Sequence, residues 1–377
     1  MTPLRVPLLL LAYLAYIGLG LPDPLPGTLW PEVAPAYGLP NAALGLVLAA
    51  LSAGYMTAGL LAGRLIAALG IGGVLAASLA ATALAAGGQA LAPPWPVFVA
   101  LAVLTGLGSG AVDAALNNWA AHRLAARHLN WLHACWGIGA TLGPGAAAGL
   151  LAAGAGWQAA YAAVAALLAT LAGAFLATRG RWHAAAPEAA LGHGAIAALR
   201  QPVVRLQMAV FFVYTGLEAG AGQWAATIFA ARGAGPAEAA LAATLFWASL
   251  TAGRIGLGFV VDRIGADRLL RLAMPVGLVA AAGFAMGLAD LACLLLFAVA
   301  LSPVYPTMMA LTPRRLGPLA VSAIGLQVAA AMAGVAVLPG AMGLAADLFG
   351  AGAVPVLLAA LALLLWALVA RLPRPRT

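Results

Sequence analysis

The stretch GFVVDRIGADR occupies residues 258–268 and lies between two long apolar segments. A weaker version, GLLAGR, occupies residues 59–64 in the first half of the chain, again between two apolar segments. The two stretches lie at corresponding places in the two halves, which indicates a duplicated unit. The chain is therefore interpreted as two related arrays of helices.

The amino-acid composition is that of a membrane protein. Of the 377 residues, 64% are hydrophobic and 7% are charged, whereas a soluble domain carries about 25% charged residues. A membrane-spanning helix needs about 20 apolar residues, and on that measure we expect an all-α membrane protein of about twelve helices. Their expected limits are residues 5–30, 42–63, 71–92, 96–122, 130–153, 157–178, 204–231, 237–260, 268–289, 291–311, 318–346 and 351–371.

The charged residues alternate along the chain. All 18 basic residues are arginine, and most of them fall in every second connection, while the intervening connections hold acids. This positive-inside pattern predicts a multi-pass protein of the cell (inner) membrane with both termini in the cytoplasm. Basic residues that bind nucleic acid cluster and interleave with aromatic residues, unlike these arginines. We therefore do not attribute the net charge of +8 to nucleic-acid binding.

One sizeable polar connection divides the chain. It predicts an N-terminal six-helix bundle at residues 1–180, a cytoplasmic linker at 181–203 and a C-terminal six-helix bundle at 204–377. Parallel repeats of this kind, related by an axis along the membrane normal, are one of the architectures of secondary transporters.

Asp113 is an acid in the middle of an apolar segment rich in glycine and alanine. A carboxylate at bilayer depth is costly, and it usually faces a bundle interior or a water-filled cavity. Asn117 lies four residues later, so both polar groups share one helix face. Burial favours the protonated form of a carboxyl group, so protonation can accompany the binding of a solute. The alternative is a structural hydrogen bond to a neighbouring helix, for example to Asn130 or His133.

Two further acids are candidates for the same role. Glu218 lies one turn after Tyr214 on the seventh helix, with Gln223 beside this face, and is either a cavity residue or a packing acid paired to a hydroxyl. Asp23 lies in a proline-rich segment that breaks the first helix, and broken helices expose backbone groups to ligands. Asp23 is alternatively a solvated acid near the outer surface.

Two parts of the sequence carry a family resemblance. The pattern Gly-x-x-x-Asp-Arg-x-Gly-x-x-Arg at residues 258–268 resembles the signature loop of the major facilitator superfamily, which follows helices two and eight there; the copy at 59–64 has Gly63 where an acid is expected. Residues 106–149, which contain Asp113 and the run NWLHACWG at 130–137, resemble the fucose–proton symporter group and its sodium–glucose relatives.

This resemblance implies roles for several residues. Asp113 would occupy the position of the group's protonatable, substrate-linked acid, and Asn130 and His133 would occupy polar cavity positions on helix five. Helices one, four, seven and ten line the central cavity in this fold. Glu218 is therefore expected to face Asp113 across the cavity, and Tyr305 is expected near it.

The signature loops imply a gate. Arg254 lies eight residues before Asp262, and we expect it to pair with the Asp262 loop and to help hold the cytoplasmic side closed. Arg64 and Arg263 belong to the two loops. These four residues are interpreted as gate elements and not as substrate contacts.

Polar and aromatic residues of the central helices are candidates for substrate contacts. Trp136 and Trp224 are suited to stacking on a sugar ring, although single tryptophans more often pack or anchor a helix. Gln327 is either a ligand contact or an interhelical hydrogen-bond partner. The complete set of candidates is Asn117, Asn130, His133, Trp136, Tyr214, Gln223, Trp224, Tyr305 and Gln327.

The sequence thus predicts a secondary active transporter that uses a proton to take up a small polar solute such as a sugar. A proton-driven exporter is the alternative, because GATLGP at residues 139–144 resembles the antiporter signature of drug exporters. A lipid-translocating relative is a further alternative, and sodium is a possible replacement for the proton.

The sequence carries no zinc spacing, P-loop or nucleophile elbow, so no enzyme, metal or cofactor is predicted. The expected partners are the solute, the coupling ion and the bilayer, and the chain is expected to act as a monomer.

Overall fold

The computed structural model describes residues 6–124, 126–182 and 194–374, and in these ranges the chain is helical with no β-strand. Two 3-10 turns, Arg179–Arg181 and Gly317–Leu319, accompany the α-helices. The α-helices in chain order are α1 (Val6–Gly20), α2 (Leu25–Thr28), α3 (Trp30–Tyr37), α4 (Ala43–Ala90), α5 (Trp95–Arg123), α6 (Ala126–Ala152), α7 (Trp157–Thr178), α8 (Gly194–Arg200), α9 (Pro202–Ala231), α10 (Pro236–Ile264), α11 (Ala266–Ala285), α12 (Asp290–Leu301), α13 (Val304–Leu316), α14 (Ala320–Phe349) and α15 (Ala353–Ala370).

These helices provide twelve membrane passes. Eight helical segments are long and apolar enough to cross a membrane, and the bent pair Gly194–Arg200 and Pro202–Ala231 adds a ninth. Two of the eight, Ala43–Ala90 with 48 residues and Asp290–Phe349 with 60, are long enough for two passes each. The shorter apolar helix Leu8–Gly20 supplies the remaining pass. The prediction of an all-α membrane protein with two six-helix bundles is confirmed.

Two of the expected connections are shorter than predicted. Residues 64–69 continue the helix, so the second and third passes form one helical run that bends at Gly70, where φ is 67°. The stretch 258–264 likewise belongs to α10, and Gly265, with a φ of 85°, makes the turn into α11. Glycine adopts this left-handed backbone conformation readily, so one residue suffices for each turn. Arg64, Asp262 and Arg263 therefore lie on helices.

Proline divides two of the passes. The first pass leaves its helix after Gly20 and resumes at Leu25, because Pro22 and Pro24 cannot donate backbone hydrogen bonds to the helical ladder. The tenth pass is divided in the same way between α12 and α13, where Pro303 follows Ser302. Both breaks leave irregular backbone inside the bundle, where only protein or enclosed water can satisfy its polar groups.

The two halves contact each other at one end of the bundle, which we call the Asp347 face. There the carboxylate of Asp347 accepts hydrogen bonds from the backbone N–H groups of Asn41 and Ala42, at 2.7 and 2.8 Å. Near them α4 and α14 meet backbone to backbone, because a Cβ added to Gly45 would lie 2.6 Å from the Cα of Gly340. These contacts close the Asp347 face.

At the opposite face the same helices diverge. Gly63 lies 18 residues after Gly45 on α4, which is five full turns and therefore the same side of the helix. A Cβ added to Gly63 would meet nothing within 4 Å. On α10, Thr251 packs against Gly137 of the other half, while Gly258, two turns further on, has nothing within 4 Å. The halves are therefore apart at the face that carries the signature loops.

The acid at the end of the signature stretch fastens the C-terminal bundle internally. Asp267 accepts hydrogen bonds from Arg271, at 2.9 Å, and from Arg315 of α13, at 3.1 Å. Arg271 also donates to the backbone carbonyls of Ala370 and Leu372. Three passes are joined through this one carboxylate.

Candidate functional site

Asp113 lies at the meeting point of three helices of the N-terminal half. Its Oδ1 accepts hydrogen bonds from Tyr16 of α1, at 3.0 Å, and from Asn117 of α5, at 2.9 Å. Its Oδ2 accepts a hydrogen bond from Tyr55 of α4, at 2.7 Å. The carboxyl group is partly exposed, so it is held by three donors without being sealed off. The expected face shared by Asp113 and Asn117 is present.

Sequence reasoning missed Tyr16 and Tyr55. Each tyrosine lies inside an apolar helix, away from the helix ends where aromatic residues usually anchor a membrane protein, and that position was the available signal. His133, which is exposed, packs its ring edge-on against Tyr16 with the ring centroids 5.5 Å apart. The side chain that reaches His133 from α1 is therefore Tyr16.

A second polar cluster lies in the C-terminal half around Glu218. The Arg254 terminal nitrogen Nη2 lies 3.0 Å from Glu218 Oε1 and 2.9 Å from Oε2. Tyr214 donates its hydroxyl hydrogen to Glu218 and accepts a hydrogen bond from Arg254 at 3.3 Å. The side chains of Arg254 and Glu218 are 22% and 11% exposed, so this ion pair is largely buried. Removal of either partner of such a buried pair leaves an uncompensated charge and strongly destabilises the fold.

The expected pairing of Arg254 with the Asp262 loop is wrong. Residues 254–262 form one helix, in which eight residues rise about 12 Å, and this separation is too large for an ion pair. Arg254 turns instead toward Glu218 on α9 and lies over the ring of Trp136, with its Cζ 5.4 Å from the ring centroid. Since Trp136 belongs to the N-terminal half, Arg254 contacts both halves in the bundle interior.

The break in the first pass joins the two halves a second time. Gln223 of α9 donates to the backbone carbonyl of Asp23, at 2.8 Å, and accepts from the backbone N–H of Gly27, at 2.7 Å. The Asp23 carboxylate accepts a hydrogen bond from the indole N–H of Trp136 at 2.9 Å. Its other oxygen, Oδ1, is buried and accepts no hydrogen bond from the described residues. Asp23 is therefore an interior acid and not a surface one.

The three clusters lie close enough to form one site. Tyr305 lies within electrostatic reach of Asp113, Arg254 and Glu218, and it packs edge-on against Phe211 with the ring centroids 5.4 Å apart. His133 lies close enough to Asp113 and Arg254 to interact with them electrostatically. The site is thus assembled from both halves, with acids on the N-terminal side and one ion pair on the C-terminal side.

Some candidate substrate contacts serve packing in this state. Trp224 is fully buried and donates its indole N–H to the carbonyl of Pro339 at 3.0 Å. Gln327 is also fully buried and bonds Gln207 at 2.9 Å and Thr312 at 3.1 Å. The interhelical alternative for Gln327 is the one that the structure contains.

Four further predicted residues remain, one cavity candidate and three gate residues. Asn130 belongs to α6, but its side chain lies outside the described residues. Arg64, Asp262 and Arg263 are exposed at the divergent face, away from the polar clusters. Among the described residues, no three His, Cys, Asp or Glu side chains are grouped to hold a metal ion.

Comparisons with known proteins agree on one family. The family model described as Major Facilitator Superfamily matches residues 8–326. No curated protein sequence matches the chain. The nucleoside transporter NupG is similar in structure, with a TM-score of 0.77 and 15% identity over 98% of this chain and 99% of that chain.

Two further solved structures share the architecture. The E. coli fucose:proton symporter FucP has a TM-score of 0.65 and 17% identity over 98% of this chain and 99% of that chain. A bacterial homologue of the human lysosomal transporter Spinster, in an inward-facing and occupied conformation, has a TM-score of 0.72 and 15% identity over 99% of this chain and 95% of that chain. At these identities the likeness concerns the fold.

Proposed function

Because this chain belongs to the major facilitator superfamily, a family of multi-pass membrane transporters, we propose that it takes up a small polar solute such as a sugar together with a proton. Uptake proceeds by alternating access, in which the two halves rock about a site between them. The chain acts in the cell membrane with both termini in the cytoplasm, and residues 181–203 are the cytoplasmic linker between the two halves.

The observation that carries this proposal is the setting of Asp113. Tyr16, Tyr55 and Asn117 converge on one carboxyl group inside a membrane protein. Intramembrane acids are costly and mark ion or proton pathways by default. A carboxyl group that is held by three donors yet partly exposed is suited to exchange a proton with an entering solution. Sodium would bind the same oxygen atoms, so the ion must be identified by experiment.

Asp23 and Glu218 are the other candidate proton carriers. Asp23 has a buried oxygen that accepts no hydrogen bond from the described residues, and a neutral carboxyl group tolerates that environment better than a charged one. Glu218 already forms an ion pair with Arg254 and accepts a hydrogen bond from Tyr214, so both of its oxygen atoms are engaged. We therefore rank Asp23 second and Glu218 third behind Asp113.

The polar character of the site supports a hydroxylated solute. Partly exposed hydrogen-bonding side chains from both halves, including Asn117, His133 and Tyr305, surround the acids. Two of the similar structures are those of a fucose:proton symporter and a nucleoside transporter. Fucose and nucleosides both contain a sugar ring.

The arrangement of the halves supports alternating access. The halves touch at the Asp347 face and diverge at the face of the signature loops. With the arginine-rich loops in the cytoplasm, this arrangement is an inward-facing state.

Reconstitution tests the proposal. Purified protein in liposomes that contain a pH dye is challenged with a panel of sugars, nucleosides and sugar acids. We expect acidification of the lumen that depends on the solute and is lost in Asp113→Asn. Glu238→Gln, which removes an exposed acid outside the site and the signature loops, is the matched control and should behave like the parent protein. Persistent proton movement in Asp113→Asn would contradict the proposal, and alkalinisation during solute entry would indicate an exchanger.

A further inference from the structure

Arg254 uses only part of its hydrogen-bonding capacity. A guanidinium group carries five N–H donors in a planar fork. In this structure Nη2 makes all the bonds to Glu218 and Tyr214. Among the described residues, Nε is buried without a partner, and Nη1 makes no hydrogen bond either. Arginine–carboxylate pairs frequently use two nitrogen atoms of the guanidinium group, and the pair with Glu218 uses one.

The position of Arg254 suits a ligand that both halves must recognise. Its guanidinium group lies over Trp136 of the N-terminal half while its Nη2 is fixed by Glu218 of the C-terminal half. The side chain remains 22% exposed in spite of its depth in the bundle. Glu218 and Tyr214 thus act as positioning residues. They fix the orientation of the Arg254 guanidinium group, whose remaining N–H groups stay free to bind a ligand.

We infer that the transported solute is a hydroxylated carboxylic acid whose carboxylate binds Arg254 through Nη1. This inference rests on the proposed function and narrows its solute from a polar molecule to an anionic one. Hydroxyl groups of the solute would meet the polar side chains near Asp113, and its carboxylate would meet the arginine. Glu218 already balances the charge of Arg254, so protonation of an acid in the site must offset the charge of the solute. A carboxylate, with one negative charge, therefore fits better than a phosphate ester, which carries a charge of about −1.5 to −2.

The charges of the site then couple the anion to the proton. The titratable groups around Arg254 are Glu218 and Tyr214 on α9, His133 on α6, Tyr305 on α13 and the acids Asp113 and Asp23 of the N-terminal half. An incoming carboxylate adds one negative charge to a site that already holds three acids. Protonation of Asp113 removes one of these charges, so the anion and the proton favour each other's binding. Proton loading would therefore be a condition for binding the solute.

Matched pairs of solutes test this inference. D-glucuronate is compared with D-glucose, and D-gluconate with D-glucitol, because each pair differs in one carboxylate. Uptake into proteoliposomes is followed with the internal pH dye and with radiolabelled solute, and binding is followed by thermal stabilisation of the detergent-solubilised protein. We expect an acid of the panel to bind and enter in preference to its neutral partner.

Variants of Arg254 test whether this residue causes the preference for the acid over its neutral partner. Arg254→Gln should weaken binding of the acid on the order of 10- to 100-fold, the effect of losing a hydrogen bond to a charged group. The neutral partner should lose less affinity than the acid, so the preference for the acid should fall, and Arg254→Lys should restore part of that preference. Arg232→Gln removes an arginine from another ion pair of the same half and should have no effect on the preference. Asp113→Asn should bind the acid with little dependence on pH.

The outcomes separate this inference from the proposed function. Stronger uptake of the neutral partners, or failure of every acid to bind or enter, would overturn the inference. Equal losses in Arg254→Gln and Arg232→Gln would also overturn it. Entry of an acid that depends on Arg254 but moves no protons would support the inference and contradict the proposed coupling.

Discussion

Asp347 is expected to bias the protein toward closure of its own face. Its carboxylate accepts hydrogen bonds from the backbone N–H groups of Asn41 and Ala42, which directly precede α4 in the opposite half, at 2.7 and 2.8 Å. A hydrogen bond to a charged group contributes about 1.5–3 kcal/mol. Asp347 is exposed, so water competes for these bonds and a value of about 1 kcal/mol is appropriate. Because the bonds exist only when the face is closed, Asp347→Ala should lower the ratio of closed to open molecules roughly fivefold.

Electron spin resonance measures this ratio. Spin labels at Ala36 and Phe349, which are exposed at the Asp347 face in opposite halves, would report the distance across it after replacement of Cys135 and Cys293. Double electron–electron resonance should show a larger long-distance population in Asp347→Ala than in the parent protein. Asp347→Asn keeps one acceptor oxygen and should give a smaller shift.

A carboxylate within one half provides the control. Asp290 forms an ion pair with Arg232 at 2.7 Å, and both belong to the C-terminal half. Asp290→Ala should leave the distance distribution unchanged. An unchanged distribution in Asp347→Ala, or an equal shift in Asp290→Ala, would refute the assignment of Asp347 to the contact between the halves.

Two further substitutions have expected outcomes. Gly45→Leu places a side chain where a Cβ would already lie 2.6 Å from Gly340, so the Asp347 face should stay open and uptake should fall, whereas Gly173→Leu, at an exposed position of α7 with nothing within 4 Å, should retain both closure and uptake; normal closure of Gly45→Leu would contradict the observed contact. Tyr55→Phe removes the hydrogen bond that Tyr55 donates to Asp113, so solute-dependent acidification should fall on the order of five- to tenfold; unchanged acidification would argue against Asp113 as the proton carrier.

The sequence contained enough information to predict the helices and the leading acid. Helices are predictable because each pass is a long apolar segment and because the arginines alternate between connections. Asp113 and Asn117 are predictable because a charged group stands out in an apolar helix and because a spacing of four residues places both on one side. These are local properties of the chain.

The partners of these residues could not be predicted in the same way. Tyr16 and Tyr55 reach Asp113 from helices that lie far from it in the sequence, and helical periodicity does not say which helices become neighbours. The partner predicted for Arg254 is wrong because the predicted helix ends at residue 260, which would put Asp262 in a loop, whereas α10 continues to Ile264. Trp224 is predicted as a substrate contact, but its indole N–H donates a hydrogen bond to the carbonyl of Pro339 on another helix.

The contact between Gly45 and Gly340 bears on how fast the protein can change state. Where side chains interlock, helices separate only after each side chain leaves its recess. Here two bare backbones meet, so separation gives up only a few dispersion contacts of about 0.1–0.2 kcal/mol each. The helices can slide apart without changes of rotamer. At this crossing the barrier to opening is therefore set by the hydrogen bonds of Asp347, which water replaces as they break.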